Sequence, residues 1–148
     1  MSSFIFTWNP DEWDWWASDL QHCLDETAAK RTVPGNWSTG SRTRGISSGD
    51  RVFLLRQGSS NRGIIAAGTL HDGIFQEAHW DGSGKLGNYA DLDWELVIDP
   101  AHPLPLADLD SAMPNQHWTP RGSGTLLMPE YELTIEQLWA DHIARLGY

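Results

Sequence analysis

Cysteine is almost missing from this chain: Cys23 is alone among 148 residues, so no disulfide can form within it. A lone thiol suits an intracellular protein, and we expect a cytoplasmic one. No run of 18 apolar residues exists, which excludes a spanning helix and argues against a membrane partner. The start, MSSFIFTWNPDEW, has neither a basic opening nor a cleavage site and does not read as a signal peptide. Positive charge is scarce as well: 10 Lys and Arg face 20 Asp and Glu, for a net charge of −10 and a pI near 4.8. Taken whole, that balance counts against nucleic acid.

The usual signatures of catalysis are also missing. There is no phosphate-cradling glycine motif with a lysine, no cysteine pair for zinc and no HExxH. Arg121-Gly122-Ser123-Gly124 lacks the GxSxG spacing of a nucleophile elbow. His22 and Cys23 are adjacent on an expected helix, where neighbours point about 100° apart and make a poor nucleophile–base pair. Asp91 and Asp93 share a strand face, but read as a solvated edge rather than a cation site. The expectation is a binding protein with no catalytic residue, metal or cofactor.

What is present is concentrated. Seven of the ten Lys and Arg residues lie between positions 30 and 62, with one acid, Asp50, leaving that window at net +6 in an acidic chain. Exposed charges separated by more than about 10 Å are largely screened at moderate salt, so a local basic face can attract phosphate despite the overall sign. Nine tryptophans are far more than a core of this size needs, and each buried indole N–H requires a partner. Some of them are expected to be exposed or to line a pocket. The segment Gly35–Leu70, which opens on Trp37 and carries arginines in its loop and turn, is the expected place of function.

The elements read in order as one domain over residues 1–148, α+β, with five or six strands and terminal helices. Phe4–Trp8 alternates as a strand. Asn9-Pro10-Asp11-Glu12 carries the signals of a helix start, with a stripe at Trp13, Trp16, Ala17, Leu20 and Leu24. Ala28–Ser48, with Trp37 inside Gly-Asn-Trp-Ser-Thr-Gly, reads as a long loop, and long loops in compact domains are often functional. Strands are expected at Arg51–Arg56, Ile64–Leu70 and Trp94–Ile98, with a turn at Gln57–Gly63. His79–Gly84 and Asn115–Ser123 are polar loops that each bear a tryptophan, and Asp99–Leu109 reads as irregular because of its prolines. Thr134 is the expected cap of a last helix that Gly147 stops.

This order, with GNWSTG followed by RVFLL and GIIAAGTL, resembles the EVE domain and its relative the YTH domain of the PUA-like superfamily. His117–Gly124 is similar to a segment near the end of EVE-like domains in modification-dependent restriction enzymes, where the domain is fused to an HNH nuclease. The resemblance implies a strongly curved, partly open five- to six-stranded β-barrel flanked by helices. It also implies an aromatic cage for a modified, flipped base, with Trp37, Trp80 and Trp118 as its walls. Ser38, Thr39 and Asp72 are then the base-edge partners, and Arg42, Arg44, Arg56, Arg62 and Arg121 the phosphate contacts.

The partner expected on this reading is DNA carrying 5-methyl- or 5-hydroxymethylcytosine, with RNA as in YTH domains the nearest rival and a nuclease domain or subunit as a companion. Two other classes compete. One is a methyl-lysine reader using cation–π attraction; the other is an enzyme acting on a small nucleoside. A cage beside the arginines favours nucleic acid, whereas a cage lined by Asp and Glu favours methyl-lysine.

Overall fold

A computed structural model describes residues 1–79 and 82–148. Its strands are β1 (Ser3–Trp8), β2 (Val33–Gly40), β3 (Arg51–Arg56), β4 (Gly63–Leu70), β5 (Phe75–Ala78), β6 (Leu86–Val97), β7 (Leu104–Pro105) and β8 (Thr125–Leu126). The helices are α1 (Ala17–Ala28), α2 (Leu106–Ala112) and α3 (Glu132–Arg145). Six strands hydrogen-bond in the order β2-β6-β4-β3-β1-β8, while β5 pairs with β6 and β7 with β4. The β1–β3 pair is parallel and the others are antiparallel. The sheet curls until β2, at one end of the path, touches β1 near the other: the Trp37 indole on β2 bonds the Thr7 carbonyl on β1. The expected strongly curved, partly open barrel flanked by helices is what the chain forms. Among the described residues, no helix is long and apolar enough to cross a membrane.

The apolar runs of β3 and β4 are covered on both faces, from Val52 to Leu55 and from Ile64 to Ala67. Gly68 marks a register shift between β4 and β6, where a Cβ would run into the carbonyl of Asp93. The small residues of β4 thus admit close backbone approach. On α1, Thr27 donates to the Cys23 carbonyl at 2.6 Å and accepts the Val97 amide of β6 at 3.0 Å, which docks the helix on the sheet. Arg51 on β3 bonds Glu95 on β6 and Glu136 on α3, and so fastens the last helix. Burial opposes the charge on Arg51, but the two carboxylates outweigh it and hold its pKa above the ordinary value.

Four expectations are corrected. The loop expected over Ala28–Ser48 contains β2, whose burial alternates with Val33, Trp37 and Thr39 inward and Pro34, Asn36 and Ser38 outward. Proline, glycine and asparagine hide this strand from propensity, and an edge position with β6 alone as partner tolerates Pro34. The helix expected from Asn9 begins only at Ala17. Asn9 instead closes a tight turn, its side chain accepting the Asp11 amide and its carbonyl the amides of Glu12 and Trp13. Trp13 and Trp15 then pack on the core rings, and burying indole surface at about 25 cal/mol per Å² outweighs about 1 kcal/mol of capping.

The other two corrections concern helix ends. Residues within Asp99–Leu109 form β7 and the start of α2 rather than an irregular run. Thr134 lies inside α3, which starts at Glu132 after a single turn of 3-10 helix at Pro129–Tyr131. Gly147, at φ +92°, does end that helix.

Candidate nucleic-acid interface

Two adjoining clefts open where the ends of β1 and β3 meet the loops at 41–45 and 115–124. The first, about 570 Å³, is lined by Arg56, Arg62 and Arg121 together with Asn9, Asp11, Glu12, Gln57 and the wall of Trp118. The second, about 540 Å³, is lined by Arg42, Arg44, Arg121 and His117, with no acidic residue. Pro120 and Arg121 belong to both. All five arginines nominated as phosphate contacts therefore line one continuous surface.

They are not equivalent. Arg42 is half-buried: its Nε donates to the Gly124 carbonyl at 2.6 Å and its guanidinium lies 5.0 Å from the Phe4 ring. Arg56 donates to the Pro100 carbonyl at 2.7 Å, lies 5.7 Å from the Trp8 ring, and keeps its buried Nε unpaired among the described residues. Arg62 is exposed and donates from Nε to the Gly58 carbonyl at 2.5 Å. Arg44 and Arg121 are exposed and their side chains have no hydrogen bond or ion pair among the described residues. Arg42 and Arg56 thus build the clefts, and Arg44, Arg121 and Arg62 are open to an incoming anion.

A glycine pair shapes the second cleft. Gly40 has φ +64° and Gly124 φ +89°, and the two backbones lie against each other. A Cβ at Gly40 would sit 2.6 Å from the Ser123 carbonyl oxygen, and one at Gly124 would run into that of Thr39. This approach brings the loop after β2 against the loop before β8.

The tryptophans nominated as cage walls are placed differently from expectation. Trp37 is on a strand and 9% exposed, so its environment is not the open loop expected. Its ring meets Trp13 at 5.4 Å, Trp15 at 5.0 Å and Trp94 at 5.9 Å, and its N–H donates to the Thr7 carbonyl at 2.9 Å. Alternation on β2 turns it inward, where its large apolar surface is covered. Trp118 is 5% exposed, forms a wall of the first cleft, and donates to the Met113 carbonyl at 3.1 Å. Trp37 lines neither cleft. Trp80 lies outside the described residues.

The nominated edge partners are dispersed. Thr39 is fully buried and donates to the Arg42 carbonyl at 2.8 Å, which commits its hydroxyl to the turn. Ser38 is exposed on β2 and accepts the Gly40 amide at 3.1 Å. Asp72 is exposed after β4, with β6 between its strand and β2. Asp93 lies 3.1 Å from the His71 ring, and Asp91 is exposed. Among the described residues no three His, Cys, Asp or Glu side chains gather to hold a metal ion.

Sequence reasoning missed the segment between β1 and α1. Trp13 and Trp15 complete a cluster with Trp8 and Trp37, and Asn9, Asp11 and Glu12 of the same segment line the first cleft. The available signal was three tryptophans within four positions, 13, 15 and 16, too many for one helix face.

No family model matches the chain, and no curated protein matches it in sequence. Several solved structures resemble it in fold. A hypothetical protein from Leishmania major superposes with a TM-score of 0.60 at 14% identity, over 95% of this chain and 96% of that one. A protein from Pseudomonas putida gives 0.59 at 15% identity, and one from Pseudomonas syringae 0.58 at 15%, each over 93% of this chain and 99% of its own. At these identities the likeness is one of fold: the chain shares its curled sheet and flanking helices, over nearly its whole length, with these three proteins.

Proposed function

We propose that this chain is a nucleic-acid-binding module that reads a modified base, and that it is an EVE-like member of the PUA-like superfamily. Its target on this reading is DNA carrying 5-methyl- or 5-hydroxymethylcytosine, with the base flipped out for inspection. It works without catalysis of its own, in the cytoplasm, as a specificity element beside a nuclease domain or subunit.

The observation that carries this reading is the joined pair of clefts, lined by Arg42, Arg44, Arg56, Arg62 and Arg121. A phosphate about 4 Å from one guanidinium gains on the order of 4 kcal/mol at an effective dielectric constant near 20. A run of phosphates along both clefts would offset the few kcal/mol that flipping a base costs. Asp11 and Glu12 give the first cleft some of the acidic lining that a methyl-lysine reader would use, but Arg56, Arg62 and Arg121 share that cleft and would repel a cation there.

The test is a binding panel of single-stranded and duplex DNA and RNA, modified and plain, at several salt concentrations. The reading requires affinity that falls with salt and a preference for the modified cytosine. Tight binding of a trimethyl-lysine peptide, with none of any oligonucleotide, would replace it with the competing class.

A further inference from the structure

Resting on the nucleic-acid reading, we propose that the turn at Ser59 is a phosphate seat, which the Asp11 carboxylate fills until a phosphate of a bound strand takes its place. The first cleft holds Arg56, Arg62 and Arg121 but also Asp11 and Glu12, whereas the second has no acid. Neither carboxylate is there to pair with an arginine. The ion pairs among the described residues are Arg31–Glu26, Arg51–Glu95, Arg51–Glu136 and His71–Asp93. Two unpaired acids in a phosphate-binding cleft oppose the ligand unless one of them has a local task. Glu12 has none: it is exposed, and its side chain has no hydrogen bond or ion pair among the described residues.

Asp11 is different. Its Oδ2 accepts the Ser59 amide at 2.7 Å, and its Oδ1 accepts the Ser59 hydroxyl at 3.2 Å. Two donors thus converge on one anionic group with two oxygens, as turn amides and hydroxyls do on phosphate. Gly58 admits this approach. It has φ +100°, and a Cβ there would lie 2.9 Å from Asn9 Oδ1 and 3.1 Å from Asp11 Oδ2. Arg62 belongs to the same turn, donating to the Gly58 carbonyl at 2.5 Å. Both Asp11 contacts are exposed, and Asp11 lies between β1 and α1, in a stretch with neither helix nor strand. Asn9 holds its backbone by accepting the Asp11 amide at 3.0 Å, so rotation of the side chain alone frees the seat. A phosphate of a bound strand brings the same two acceptor oxygens, while its neighbours along the strand engage Arg62 and Arg121. Asp11 then sets a threshold that only a strand held at several points overcomes.

The experiment measures the affinity of wild type, Asp11→Asn, Glu12→Gln, and the pair Asp11→Asn with Ser59→Ala for one unmodified DNA oligonucleotide, with thermal melting of each protein. Asp11→Asn removes the competing charge and should bind roughly three- to tenfold more tightly than wild type. Glu12→Gln removes the same charge from the same cleft without touching the seat, and should gain less than about twofold. Adding Ser59→Ala should cancel most of the Asp11→Asn gain, because the seat then lacks a donor. In parallel, the Ser59 amide resonance of wild type should shift when the oligonucleotide binds, and that of Asp11→Asn should shift with inorganic phosphate alone; the wild-type arm needs no variant to fold. If oligonucleotide binds but Asp11→Asn gains nothing, or Glu12→Gln gains as much, or the pair keeps the full gain, the seat is wrong while the nucleic-acid reading stands. Weaker binding by Asp11→Asn together with earlier melting would make Asp11 a structural clasp and overturn the seat. A Ser59 shift with inorganic phosphate, but no oligonucleotide bound by any protein, would keep the seat and sink the nucleic-acid reading. Neither response would sink both.

Discussion

The Trp37 indole donates to the Thr7 carbonyl oxygen at 2.9 Å, and the Thr7 amide donates to Ser123 Oγ at 3.1 Å. Ser123 lines the second cleft, so a single residue of β1 joins the tryptophan cluster to the arginine surface. Whatever binds at one end meets a framework shared with the other.

Trp37→Ala should therefore destabilise the fold by roughly 3–5 kcal/mol, the cost of emptying a large buried site. This differs from the expectation for an exposed cage wall, which would cost far less. Urea denaturation of the variant against wild type measures it; an unchanged midpoint would mean the ring is not packed as described.

Arg42→Ala and the pair Arg44→Ala with Arg121→Ala should behave differently. Arg42 bonds the Gly124 carbonyl, and its removal should lower the melting temperature. The exposed pair should leave stability within about 0.5 kcal/mol. It should weaken modified and plain DNA alike and reduce the salt slope by about 1 for each phosphate no longer neutralised. Calorimetry and a salt series on both proteins check this.

Gly124→Ala should destabilise by more than about 1 kcal/mol, because φ is +89° and the added Cβ meets the Thr39 carbonyl. The readout is thermal melting, with Gly122→Ala, where a Cβ meets nothing within 4 Å, as the comparison expected to melt close to wild type.

Cys23 gives a pH dependence. Burial first, and the Asp19 carboxylate second, push its thiol pKa up. Above the ordinary thiol range the unfolded chain loses a proton that the folded chain keeps. Stability that is complete below that range is then lost as pH rises toward the raised folded value. Denaturation midpoints from neutral to alkaline pH should fall more steeply for wild type than for Cys23→Ala. The buried thiol should also alkylate slowly while the protein is folded.

The legible part of the fold was the part with uniform chemistry. Val52–Leu55 and Ile64–Ala67 are short apolar runs on either side of a turn rich in Gly, Ser and Asn, which marks them as covered strands. The strand at Trp37 was not legible, because its residues are poor strand formers and its alternation is enforced by β6. The helix signals after Asn9 were real but local, and ring packing by Trp13 and Trp15 overrode them. In the site, the arginines could be gathered from their clustering in sequence, and the clefts unite them. Which of them are committed to backbone carbonyls, as Arg42 and Arg56 are, depends on partners 82 and 44 positions away.

Recognition of a modified base is decided by titrating wild type with a duplex containing one 5-methylcytosine and with its unmodified twin, between about 50 and 200 mM salt. Log affinity should fall linearly with log salt, by about 0.9 for each phosphate engaged, for both duplexes. The modified duplex should bind more tightly at every point, by a margin of about 1–3 kcal/mol at most, since the added group is one methyl. Affinity that ignores salt, or binding to neither duplex, would contradict nucleic-acid recognition.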